Sequence, residues 1–303
     1  MVKRILDCFR SDFEAMSKED LIESIIAAEG RTILGQCFVE GQLVWGVTNP
    51  EVAAALGSDL IELNGYNVQK PNIRGLPEGS TVADVKKLVG RPVGVYLECP
   101  DPKAKMVGER HPPAPGRIAT RENVKKVAEQ GADFLVLGGN PYSGASHSSV
   151  NEALKIAVDE VGDKLVIFAG KWEDGVIGEM SWEMTTPEVI KKLIDLGADG
   201  IHLPVPGMRP GMTIEKVTGF VELAHKHKKN TLVMNILDAS QEGADLDTIK
   251  RLAIYSKMTG ADVHFIGDAG YQGIALPENI TAWSIAIRGV IKTYFRMAAS
   301  YTR

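Results

Sequence analysis

A (βα)8 barrel is the fold class this sequence predicts, on three observations. A short motif recurs four times: LGSDLIEL from Leu56, QGADFLVLGG from Gln130, LGADGIHLP from Leu196 and TGADVHFIGDAG from Thr259. In each copy a Gly-Ala-Asp or Gly-Ser-Asp turn ends an amphipathic helix and feeds an apolar strand. Four more apolar runs lie between the copies, at 32–39, 92–99, 164–171 and 231–238, which makes eight. The runs are near-continuous rather than alternating, as expected of strands covered on both faces of a parallel sheet. Eight strands alternating with helices read as a TIM barrel. An open doubly wound sheet would not predict a two-unit repeat that stops at eight strands.

The elements can be justified in order. Residues 17–30, SKEDLIESIIAAEG, read as a helix ahead of the first strand, with Ser17 as N-cap. This helix either plugs the bottom of the barrel or packs on a partner. The repeat glycines, at 57, 131, 197 and 260, suit the C′ position of a helix, where φ is usually positive. The Asp that follows each can bond locally in the turn. TRENVKKVAEQG has Thr120 as N-cap, and TTPEVIKKLIDLG has Thr186 as N-cap, Pro187 at the first helical position and Glu188 in the first turn. DLDTIKRLAIYSKMTG carries Ile249, Leu252, Ala253 and Tyr255 on or near one face. The last helix opens at Pro277 after Leu276, with none of the usual capping residues. No linker or low-complexity tract interrupts the chain. One domain over 1–303 is expected: a helical extension 1–31, the barrel 32–293 and a tail 294–303.

Composition narrows the function classes. Hydrophobic residues are 44% and charged residues 24% of 303, ordinary for a globular chain that needs no disulfides. The three cysteines, Cys8, Cys37 and Cys99, have no metal-like spacing and favour a reducing, cytoplasmic setting. The N-terminal stretch MVKRILDCFRSDFEAM is charged throughout, unlike a signal peptide. No apolar run of about 18 residues predicts a membrane span. A net charge of −5 argues against nonspecific nucleic-acid binding.

Loop lengths point to one face. Helix-to-strand turns are short, whereas strand-to-helix loops are long, at 64–80, 100–120, 139–149, 171–186, 204–212 and 239–245. Barrel active sites are built at that end. Polar residues mark the strand ends there: Glu40, Asn64, Glu98, Asn140, Lys171, His202, Asn235, Asp238 and Asp268. Lys171 could form an imine or act as a base, or simply pair with Glu173 or Asp174. Glu98, Asp238 and Asp268 either hold one Mg²⁺ or exchange protons. His202 is the best placed of the six histidines for catalysis. His264 reads as a satisfied core residue, and His225 and His227 as solvated surface.

The uncapped start of the last helix suggests an anion site. Gly267, Gly270 and Gly273 would let the backbone approach a phosphate there. Gly139 and Asn140, in GGNPYSGASHSS, form a second candidate. The loop PDPKAKMVGERHPPAPGRIAT carries Lys103, Lys105, Arg110 and Arg117 and could fold over an acidic ligand.

The Gly-Ala-Asp turns and the glycine-rich last strand end resemble the phosphate-binding (βα)8 barrels. The stretches EGRTILGQCFVEG, GVTNPEVAAALGSDLIELNGYNV and IGDAGYQGIALPENITAWSIAIRG resemble a bacterial TIM-barrel family of unsettled function, sometimes labelled phosphoenolpyruvate phosphonomutase-like. The resemblance implies a barrel. The chain departs from phosphonomutases in ending a strand with YLECPDPKA and in lacking a Lys-x-Cys-Gly loop, so no catalytic residue carries over.

The expectation is therefore an enzyme acting on a small phosphorylated or acidic metabolite, by lyase (aldolase-like) or isomerase chemistry. A Mg²⁺-dependent lyase or mutase of 2-oxo acids is the first alternative, and a non-catalytic binding barrel the second. No organic cofactor is indicated. An anionic small-molecule substrate and a homo-oligomer are the expected partners, with no nucleic acid and no membrane.

Overall fold

The computed structural model describes residues 2–171, 175–180, 183–299 and 303. Eight parallel strands close into a barrel in the order β1 to β8 among the described residues. They are β1 (Thr32–Phe38), β2 (Leu60–Asn64), β3 (Val93–Glu98), β4 (Phe134–Gly138), β5 (Val166–Ala169), β6 (Gly200–Pro204), β7 (Leu232–Leu237) and β8 (Val263–Ile266). Each falls inside a run read from the sequence. Around them lie α3 (Asn49–Ala55), α4 (Val82–Val89), α5 (Arg121–Glu129), α6 (His147–Val161), α7 (Pro187–Asp195), α8 (Ile214–His227), α9 (Leu246–Met258) and α10 (Pro277–Ala298). Two short helices, α1 (Arg10–Glu14) and α2 (Lys18–Ile26), precede the barrel. Thr120 and Thr186 cap α5 and α7 as expected, accepting from Asn123 N and Val189 N.

The interior is filled, not hollow. Phe134 and Phe168, from the neighbouring strands β4 and β5, meet edge to face at 6.4 Å. Gly94 and Gly200 make room for them, since a Cβ at either would lie 2.2 or 2.4 Å from a Phe ring atom.

The repeated Asp does more than bond within its turn. Asp59 accepts the backbone N–H of Ile33 at 2.8 Å, and Asp133 that of Val93 at 2.8 Å. Asp199 accepts from Ile167 at 2.9 Å, and Asp262 from Val233 at 2.8 Å. The expected local bond is thus replaced by one to the preceding strand. The Asp before each even strand clips an amide at the start of the odd strand beside it, on its first or second residue. The reason is geometric: the Asp backbone N–H already bonds the same residue's carbonyl, as in Asp59 to Ile33 at 2.8 Å, so the side chain lies over its N–H. Each carboxylate also takes a basic side chain: Arg288 and Arg296 on Asp59, Lys86 on Asp133, Lys18 on Asp199 and His225 on Asp262.

The bottom of the barrel is covered by the N-terminal segment. Ile5, Leu6 and Cys8 are fully buried there. Arg296 of α10 donates to Asp59 Oδ1 at 2.7 Å, to Cys8 O at 2.9 Å and to Ile5 O. Lys18 of α2 reaches Asp199 at the start of β6. The segment before the expected helix thus does the covering, and the helix itself is tied on through Lys18. α10 is kinked at Gly289, whose φ of +81° is non-helical. His264 is the core histidine expected, held by Ser256 Oγ at 2.7 Å and Gly30 O at 2.9 Å. His225 and His227 sit on the bottom face as read, each with a carboxylate partner, Asp262 and Asp195.

Candidate active site

Strand residues alternate in direction, so every second side chain enters the barrel. Gln36 on β1, Glu62 and Asn64 on β2, and Tyr96 and Glu98 on β3 project inward near the carboxyl ends. Asp238 follows β7, and Asp268 follows β8 by two residues. Glu242 lies on a 3-10 turn, Gln241–Gly243, after β7. Together they form an acidic floor at the mouth expected of this fold.

The contacts are specific. Gln36 Nε2 donates to Glu62 Oε1 at 2.8 Å. Asn64 Nδ2 donates to Asp268 Oδ2 at 2.9 Å, while its Oδ1 accepts from Asn140 Nδ2 at 3.3 Å. Arg117 pairs with Glu98 at 2.8 Å and lies 6.0 Å from the Phe38 ring centroid. Asp238 Oδ1 and Glu242 Oε1 crowd Gly267, within 2.7 Å of where its Cβ would stand.

Burial and mutual repulsion set the proton affinities. Burial pushes Glu62 up to about 8; the facing Asp238 and Asp268 add to this, and the Gln36 bond opposes it. Burial and then Asp238 raise Asp268 to about 7, against the bond from Asn64. Glu98 and Glu242 are also raised by burial, Glu98 against the pull of Arg117. Two carboxyls thus titrate near neutrality, where a general acid or base is most effective.

The structure brings together Asn64, Glu98, Asn140, Asp238 and Asp268 of the residues expected at the site. Gly139 is buried just past β4, and Glu40 is exposed. Asn235 belongs elsewhere. Its Nδ2 bonds Thr259 Oγ1 at 2.8 Å on the outside of β7, because it falls on the odd phase of the strand. His202 faces inward but lies deep, against Leu137 O at 3.2 Å, and burial lowers it to about 3. It stays neutral at physiological pH, contrary to an acid–base role. Lys171 is buried at the end of β5 and pairs with Glu179 at 2.7 Å. Its other expected partners, Glu173 and Asp174, lie outside the described residues. Cys99 is buried and its thiol raised by burial, as a core residue's would be.

Two of the expected sites are closely packed in the structure. Among the described residues no group of three or more His, Cys, Asp or Glu side chains is placed to hold a metal ion. Glu98 is engaged by Arg117 at 2.8 Å, while Asp238 and Asp268 face Glu62. The glycine loop after β8 is closely packed. Carboxylates crowd Gly267; a Cβ at Gly270 would meet Ile274 O at 2.8 Å, and one at Gly273 would meet Phe38 at 2.9 Å. The start of the last helix is partly satisfied within the chain. Pro277 has no N–H, and the N–H groups of Asn279 and Ile280 both bond Leu276 O, at 2.9 and 3.1 Å.

Gln36, Glu62, Tyr96 and Glu242 escape a reading that looks only past the strand ends. A signal exists for two of them: Glu62 and Gln36 are polar residues inside otherwise apolar strands, an arrangement that burial alone disfavours.

Several solved structures share the fold. A candidate lyase/mutase from Burkholderia cenocepacia J2315 has a TM-score of 0.52 at 17% identity, over 88% of this chain and 84% of that one. An archaeal fructose-1,6-bisphosphate aldolase, with its catalytic Lys covalently bound to the carbinolamine intermediate, gives 0.55 at 14% identity over 90% and 99%. Oxaloacetate acetylhydrolase in complex with oxalate gives 0.50 at 13% identity over 84% and 81%. No curated protein matches the sequence. The sequence itself matches a family across almost its whole length, residues 6–303, and the chain belongs to that family, described as Domain of unknown function (DUF7916).

Proposed function

We propose that the protein is a lyase-type enzyme that moves a proton on a small acidic or phosphorylated metabolite at the mouth of the barrel. One observation carries this reading. Asp268 is partly exposed, held by Asn64, and raised to about 7 beside Asp238. Such a carboxyl takes a proton from a carbon acid and returns it without a large energetic mismatch. Glu62 lies fully buried behind it, fixed by Gln36, and keeps its own proton up to about pH 8. Arg117 is the cation beside this floor and would face the anionic end of the substrate. The likeness to aldolase, lyase/mutase and acetylhydrolase barrels supports lyase-type chemistry at a coarse level.

The test is deuterium wash-in at carbon, followed by NMR in D2O, with pyruvate, oxaloacetate, alanine, aspartate and dihydroxyacetone phosphate. Wild-type protein should exchange at least one of them. Asp268→Asn should slow that exchange by about 10²–10⁴-fold, the usual worth of a general acid–base group. Equal exchange in the variant would remove Asp268 from the chemistry. A second reading, imine formation at Lys171, draws on its burial at a strand end. Its amine is held by Glu179 at 2.7 Å and would have to leave that partner to form an imine. Borohydride with labelled pyruvate is expected to leave Lys171 unmodified; label on that residue would promote the second reading.

A further inference from the structure

We propose that this floor binds the ammonium group of its substrate, so that the barrel acts on small amino compounds. The inference deepens the reading above and rests on the same mouth being the active site.

The chemistry of the floor is one-sided. Carboxylates and amide oxygens accept hydrogen bonds and cannot donate them when ionised. Asp238, Asp268, Glu62 and Glu242 gather here, and Arg117, the cation beside them, is already engaged by Glu98. A second observation is independent of this clustering. Three buried oxygens of the floor, Gln36 Oε1, Glu62 Oε2 and Glu242 Oε1, have no hydrogen-bond partner. Glu62 and Glu242 are fully buried and Gln36 is 1% exposed, so bulk water does not serve them. Unmet buried acceptors are costly; Gln36 Oε1 and Glu242 Oε1 lack a donor, and Glu62 joins them once it gives up its proton.

The missing partner must therefore bring several donors and a positive charge. An ammonium group has three N–H donors and no acceptor. A hydroxyl brings one donor together with lone pairs that this floor would repel. The spread of the carboxylates also favours an ammonium. Hydrogen bonds to nitrogen tolerate N···O distances of about 2.7–3.2 Å with loose angles. Mg²⁺ demands about 2.0–2.1 Å and near-octahedral order, and no triad here is placed for it. A substrate with a carboxylate would then span the site, its anion at Arg117 and its ammonium over Asp238 and Asp268.

The experiment compares isosteres on the intact protein: alanine with lactate, serine with glycerate and aspartate with malate, plus Mg²⁺ alone. Binding is read by calorimetry and by thermal shift. The amino member of at least one pair should bind about tenfold or more tightly than its hydroxy partner, a difference of about 1.4 kcal/mol. That preference should disappear in Asp238→Asn, and in Glu242→Gln as a second variant should either fold poorly. Equal binding of a hydroxy partner, a shift from Mg²⁺ alone with none from any amino compound, or no binding by any amino compound overturns the inference. The two readings fail separately. Deuterium exchange of oxo acids without amino-compound binding leaves the lyase and removes the ammonium. Amino-compound binding without exchange does the reverse.

Discussion

At the scale of single residues, Glu62 has the largest consequence for behaviour in solution. Its carboxyl is raised from 4.5 to about 8, and that of Asp268 from 3.8 to about 7. Both folded values exceed the unfolded ones, so the folded state binds protons more tightly. Stability from these groups is fully present below about pH 4 and is lost as pH rises through 7 and 8. Thermal midpoints should therefore fall between pH 5 and pH 9. Glu62→Gln should recover on the order of 2 kcal/mol at pH 9 and little at pH 5. An unchanged slope in that variant would mean that Glu62 is ionised without penalty. Activity should follow the other member, rising through about pH 7 as Asp268 ionises. Asp238 and Asp268 were legible as strand-end carboxylates. Asn235 was misread, because distance from a strand end says nothing about which face a side chain takes. A count by twos from Glu62 or Asp268 would have placed it, but only once the pairing register was known.

At the scale of elements, the Asp59 knot joins the start of β2 to both halves of the kinked α10. Arg288 and Arg296 approach it at 2.5 and 2.7 Å, all three side chains being fully buried. Asp59→Asn would leave two guanidinium groups in a dry site with no counter-charge, and Arg288 is already disfavoured as a cation by burial. Breaking such a network costs about 3–5 kcal/mol. Urea denaturation should show the midpoint falling sharply in that variant, and less in Asp133→Asn, whose partner Lys86 is half-exposed. The strands and the repeat were readable because each strand is a single apolar run set off by Gly and Asp. The partners of the repeat aspartates were not readable, since a turn signal looks the same whether its carboxylate bonds two residues away or to the neighbouring strand. The start of α10 shows how a missing cap can be partly offset: Pro277 removes one donor, and Leu276 O accepts the N–H of Asn279.

At the scale of the whole molecule, the two ends of the barrel have separate duties. The bottom is sealed by the N-terminal segment, tied to α10 through Arg296 and to β6 through Lys18. Removing residues 2–9 would take the buried Ile5 and Leu6 out of the core, a loss of about 1.5–3 kcal/mol each, and strip Arg296 of two carbonyl partners. The truncated protein should melt several degrees lower while any exchange activity measured below its midpoint is retained. Equal loss of activity at low temperature would connect the plug to the site. The top carries the long loops, and some of these hold each other. Val107 N bonds Gly175 O at 2.9 Å, and Ile177 N bonds Lys105 O at 2.9 Å, which joins the loops after β3 and β5. Arg110 ties the first of them down through Asp101 O and Ala104 O, both at 2.8 Å. The sequence identified that loop as long and basic; its tether could not be seen, because backbone acceptors leave no mark on residue type.

The clips made by the repeat aspartates all fall within the pairs β1–β2, β3–β4, β5–β6 and β7–β8, and none bridges one pair to the next. The chain is thus sewn in four patches with plain seams between them. A cut at a seam should be repairable where a cut through a patch is not. Fragments 1–162 and 163–303, made separately and mixed, would each keep their own clips intact. The charges that find each other across the gap, Lys18 with Asp199 and both α10 arginines with Asp59, would then guide the halves into one closed molecule.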